Sequence, residues 1–85
     1  MHAAQLLSQA LDLSRRAGYQ IREEVLEGAG GGHCLIRGQK WLLLDLTQTH
    51  REQLSDVLDA LRNEPELDLS QVPAPLVESL RVSRA

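Results

Sequence analysis

Residues 33–46 constrain the fold of this chain most. They read His-Cys-Leu-Ile-Arg-Gly-Gln-Lys-Trp-Leu-Leu-Leu-Asp-Leu. The run divides into strands over 33–37 and 40–46, with Gly38-Gln39 between them. Glycine at the first central position of a two-residue loop suits a type II′ hairpin turn. That turn sets Arg37 opposite Lys40, Ile36 opposite Trp41, Leu35 opposite Leu42 and Cys34 opposite Leu43. One face of the hairpin then carries Cys34, Ile36, Trp41 and Leu43, and the other Leu35, Leu42, Leu44 and Leu46. Both faces are apolar, whereas a half-solvated antiparallel sheet keeps one face polar. The hairpin therefore requires cover on both sides.

The flanking segments supply helices. Leu6, Leu7, Ala10, Leu11, Leu13 and Ala17 recur at helical spacing over 3–17. Gly18 follows as a helix-ending glycine, and Arg15 and Arg16 sit where cations favour the helix dipole. Tyr19 is placed to fold back onto Leu13. Thr49-His50-Arg51-Glu52 is a capping box, in which Thr49 accepts from the Glu52 amide and Glu52 from the Thr49 amide. Behind it Leu54, Val57, Leu58 and Leu61 form a buried stripe, bounded by Pro65. Glu52, Asp56, Asp59 and Asn63 line the opposite face, where carboxylates stay solvated and do no acid–base work.

Over 19–26, Tyr19, Ile21 and Val25 alternate with Gln20, Arg22 and Glu24, as in a strand. Glu23 interrupts the apolar face, which suits an edge strand. Gly28-Ala29-Gly30-Gly31-Gly32 is a flexible loop. Residues 66–72 read as extended, and Pro75 suits the first turn of a short last helix with Leu76, Val77 and Leu80 on its apolar side. Residues 81–85 read as a frayed tail. The expected fold is a single α+β domain over 1–85: helix, three-stranded antiparallel sheet, helix, extended segment and short C-terminal helix. A chain of 85 residues supports one modest core.

Several chemistries lack their residues. The glycines lead into a strand rather than into Gly-Lys-Ser/Thr and a helix, so no phosphate cradle forms. His33 and Cys34 are adjacent in a strand and point to opposite faces, and Cys34 is the lone cysteine, so zinc spacing is absent. Neither a Gly-x-Ser-x-Gly elbow nor a His-Glu-x-x-His helix occurs. The formal charge is −3, against the basic surplus of a nucleic-acid binder. Arg15, Arg16, Arg22, Arg37 and Lys40 read as scattered solvated charges. A lone thiol, no signal-peptide pattern and no spanning apolar run lead to the expectation of a cytoplasmic protein without membrane contact.

The box Gly31-Gly32-x-Cys34-x-x-x-Gly38, followed by Asp45, resembles small uncharacterised bacterial proteins of about this length. The likeness covers about residues 18–80 and takes in the capped helix and the closing segment from Val72-Pro73 to Glu78. It implies the same order of elements and carries no activity. The hairpin and its following helix are also similar to zincin-like domains of bacterial regulators, whose metal-binding residues this chain lacks.

The expectation for function is a non-enzymatic protein-interaction or self-associating accessory module, without cofactor or metal. Ile36, Trp41, Leu43, Leu76, Val77 and Leu80 are the interface candidates for a homodimer. One alternative is a small-ligand or metal-dependent enzyme using the glycine loop with His33 and Cys34. A second is a weak nucleic-acid binder.

Overall fold

The computed structural model describes residues 2–27, 29–65 and 67–81. Gly28 of the glycine loop, Glu66 of the extended segment and 82–85 of the expected frayed tail lie outside the described residues. The chain is an α+β fold in the order α1 (Ala3–Arg16), β1 (Gln20–Glu24), β2 (Gly32–Ile36), β3 (Gln39–Asp45), α2 (His50–Arg62) and α3 (Ala74–Arg81).

Helix α1 ends as its glycine dictates. Gly18 adopts a φ of 97°, the Gly18 amide donates to the Arg15 carbonyl, and the Tyr19 amide donates to the Ser14 carbonyl at 3.0 Å. This is a Schellman ending. It turns the buried Tyr19 ring into the core. Helix α2 starts on the Thr49 box, with the Glu52 amide 3.1 Å from Thr49 Oγ1 and the Thr49 amide 2.9 Å from Glu52 Oε1.

The sheet departs from the expected antiparallel order. It is mixed, with strand order β1-β3-β2. β1 runs parallel to β3, pairing Gln20 with Trp41 through Glu24 with Asp45, while β2 is antiparallel to β3. The glycine loop carries the chain across the end of β3 to its far side. Two reversals then return the chain to the direction of β1.

The hairpin register also differs. Ile36 pairs with Gln39, Leu35 with Lys40 and Cys34 with Trp41. The turn residues are Arg37 and Gly38, at φ 52° and 79°. Positive φ at both central positions defines a type I′ turn, with glycine second rather than first. The shift is two residues, so every side chain keeps the face expected of it.

Both long helices lie on one face of the sheet and against each other. Leu42 and Leu44 of β3 meet Leu7, Ala10 and Leu13 of α1 and Leu54, Val57, Leu58 and Leu61 of α2 in one core. Leu76 of α3 is 0% exposed and joins this core. Helix α3 packs on α1 and α2, not on the sheet. The Arg62 guanidinium fixes it there, donating to the Ser79 carbonyl at 2.8 Å and the Leu80 carbonyl at 3.0 Å. The second sheet face is left without cover from any described helix.

Candidate functional site

The uncovered face is built from alternate residues of three strands. Pairing places Cys34, Trp41 and Gln20 side by side, with Leu43 flanked by Gly32 and Arg22. Ile36 stands beside Gln39 at the hairpin end and is 53% exposed. Trp41 and Leu43 are half-buried by their neighbours in the central strand, and Cys34 is exposed. Arg22 and Glu24 form an ion pair along one margin. Of the six interface candidates, Ile36, Trp41 and Leu43 share this surface. Leu76, Val77 and Leu80 sit on α3 in the helix layer, and Leu76 is fully buried in the core.

The far side of this surface rests on a polar knot at the end of β3. Asp45 is 0% exposed. Its Oδ1 accepts from the Leu26 amide at 3.1 Å, the Thr47 amide at 3.0 Å and the Thr47 hydroxyl at 2.7 Å. Its Oδ2 accepts from the Gly30 amide at 3.2 Å. Burial alone raises the pKa of such a group. Here the Thr47 hydroxyl and the amides of Thr47, Leu26 and Gly30 outweigh it and hold the carboxyl at about 2. The carboxylate thus grips both ends of the loop that crosses β3. The Gln53 amide nitrogen donates to the Asp45 carbonyl at 2.8 Å and ties α2 to the same point.

Asp56 adds a second anchor, accepting from the Gly31 amide at 3.2 Å. The expectation that Asp56 and Asp59 are plain solvated charges is therefore corrected, while Glu52 keeps its expected place in the cap. Glu52 closes the cap, Asp56 holds the loop, and Asp59 pairs with Arg62 at 3.2 Å. Gly31 lies so close to β3 that a Cβ there would stand 2.1 Å from the Leu43 carbonyl oxygen.

At the other end of the sheet a groove of about 370 Å³ opens between the hairpin and the end of α2. His33, Leu35, Lys40, Glu64 and Pro65 line it, with Cys34 along the strand. Lys40 Nζ donates to the Ala17 carbonyl and to Glu64 Oε1, each at 2.5 Å, and stands 5.0 Å from the centre of the Tyr19 ring. Lys40 thereby satisfies the end of α1 and joins it to the end of α2. Burial, then Glu64, raise the Tyr19 pKa against the opposing pull of Lys40.

Cys34 pairs in register with Trp41 and His33 with Leu42, so thiol and imidazole stand on opposite faces. Among the described residues no three His, Cys, Asp or Glu side chains converge as a metal site requires. The basic residues are dispersed likewise. Arg22 faces the open side, Lys40 the helix side, and Arg15 pairs with Asp12 at 3.3 Å. No described helix is long and apolar enough to cross a membrane.

Compared with family models, with curated proteins and with solved structures, the chain finds no match.

Proposed function

We propose that the chain is a non-enzymatic cytoplasmic interaction module that associates with a second copy of itself through the uncovered side of its sheet. The observation that carries this reading is the position of α3. Among the described residues, the one helix left to shield Trp41, Leu43, Ile36 and Cys34 packs on the opposite layer. A contiguous apolar surface on a small domain marks an interaction site, and closed two-fold pairing is the commonest way to bury one. Each large side chain so buried adds about 1.5–3 kcal/mol, so a few across an axis outweigh moderate association costs. The role needs no metal, cofactor or nucleic acid.

Sedimentation of the chain with and without Ile36→Glu tests the reading. Ile36 is 53% exposed, so glutamate there leaves the core intact. The wild type is expected to sediment as a dimer and the variant as a folded monomer by circular dichroism. A wild-type monomer overturns the reading.

A further inference from the structure

The two edges of the sheet differ in kind. β1 carries Arg22, Glu23 and Glu24, charges that blunt an edge against further pairing. β2 reads Gly-His-Cys-Leu-Ile, with no formal charge at neutral pH and no proline, and pairs with β3 residue for residue without a bulge. The turn determines which of its backbone groups are engaged. Ile36 and Gln39 close the Arg37-Gly38 turn, so this pair, Cys34 with Trp41, and Gly32 with Leu43 exchange hydrogen bonds. His33 and Leu35 then aim their N–H and C=O groups away from the sheet. Among the described residues these two take no other backbone partner. Leu35 is 68% exposed beside them.

We propose that β2 pairs edge to edge, antiparallel, with the β2 of a second copy, with Cys34 on the two-fold axis. This rests on the self-association reading above but moves the contact to the β2 edge, so that the open faces of the two copies lie side by side rather than across one another. Only a register centred on Cys34 sets His33 opposite the second copy's Leu35, and Leu35 opposite the second copy's His33. Both outward residues of both chains then bond. The same register sets the protruding Ile36 opposite the second copy's Gly32. A Cβ placed on Gly32 meets nothing within 4 Å, so the glycine leaves room for the isoleucine, twice over by symmetry. No charge faces its own copy, which the β1 edge cannot offer. This self-complementarity of shape and charge selects a second copy of the chain as the occupant. The outcome is a continuous sheet of six strands whose two apolar faces adjoin.

Cys34 provides the measurement. At the centre of this register the two Cys34 residues form a non-hydrogen-bonded pair, with Cα atoms about 4.5 Å apart. That lies within the roughly 4.4–6.8 Å span of disulfides. A diazene oxidant, which takes up the two protons and two electrons released by the thiols, should therefore link the chains through Cys34. The control is Cys34→Ser with Gln20→Cys, which puts an exposed thiol on the same face at the opposite edge. Cross-linking through Cys34 is expected to be at least about tenfold faster than through the control. Leu35→Pro removes an outward N–H that β3 does not use, and it should sediment as a monomer. If that variant loses its circular dichroism, the cross-linking rates decide. A dimer by mass whose Cys34 links no faster than the control overturns edge pairing and leaves self-association standing. A wild-type monomer overturns both.

Discussion

Asp45 concentrates the physics of this fold in one side chain. Its carboxylate is buried, and four donors from Leu26, Gly30 and Thr47 surround it. The folded carboxyl titrates at about 2, whereas an unfolded aspartate titrates at about 3.9. Between those values the unfolded chain binds more protons, so stability rises with pH there. The contribution is full above about pH 4 and is lost as the pH falls toward about 2. Asp45→Asn should lower the urea midpoint at neutral pH more than Thr47→Val, which removes one donor. The gap between wild type and Asp45→Asn should narrow from pH 4 to pH 2. A gap constant across that range would contradict the role given to the charge. Gly31 and Gly32 make a second comparison. Gly31→Ala drives a methyl into the Leu43 carbonyl and should cost about 3 kcal/mol or more. Gly32→Ala enters space that is open within its own chain and, compared in the Ile36→Glu background where no second copy fills it, should cost under about 1 kcal/mol. Equal costs in urea titrations would mean that the loop does not lie against β3. None of this was legible from residue types. An Asp two residues before a Thr suggests a local turn, but the Leu26 and Gly30 amides come from a loop 15 to 19 residues away.

At the scale of elements, the helices were readable because their signals are local. Gly18, Thr49 and Glu52 sit within a turn of the ends they fix, and the leucine stripe of α2 repeats within its own length. The faces of the hairpin were readable for the same reason, since alternation survives a shift of two residues. Its turn was not, because Gly38 fits either central position and only Arg37 at φ 52° decides between them. The direction of β1 depends on where the glycine loop lands. That is set by Asp45 and Asp56, both distant in sequence. The apolar side of α3 was readable, but not what it packs on, because Arg62, distant in sequence, fixes it to the helix layer. Two substitutions test this packing by urea titration. Leu58→Ala should cost about 2–5 kcal/mol, as a core truncation leaving a cavity. Arg62→Ala should cost about 1–3 kcal/mol through its lost hydrogen bonds to the α3 carbonyls. Asp59→Ala should follow Arg62→Ala in direction at smaller size, since Asp59 pairs with that guanidinium at 3.2 Å.

At the scale of the whole molecule, the described residues make a two-layer domain with helices on one side of the sheet only. Its charged edge, β1, and its neutral edge, β2, make the sheet unequal. Its helix layer holds the three described helices, leaving Trp41 at the centre of the opposite face. An arrangement of this kind either accepts a permanent apolar surface or closes it with a partner. The proposed reading is that the sheet takes a second copy as its partner. The measurement that tests it most directly is sedimentation equilibrium of the unmodified chain at micromolar concentration. A mass of twice the 9.5 kDa chain is expected, and a mass of one chain would contradict self-association.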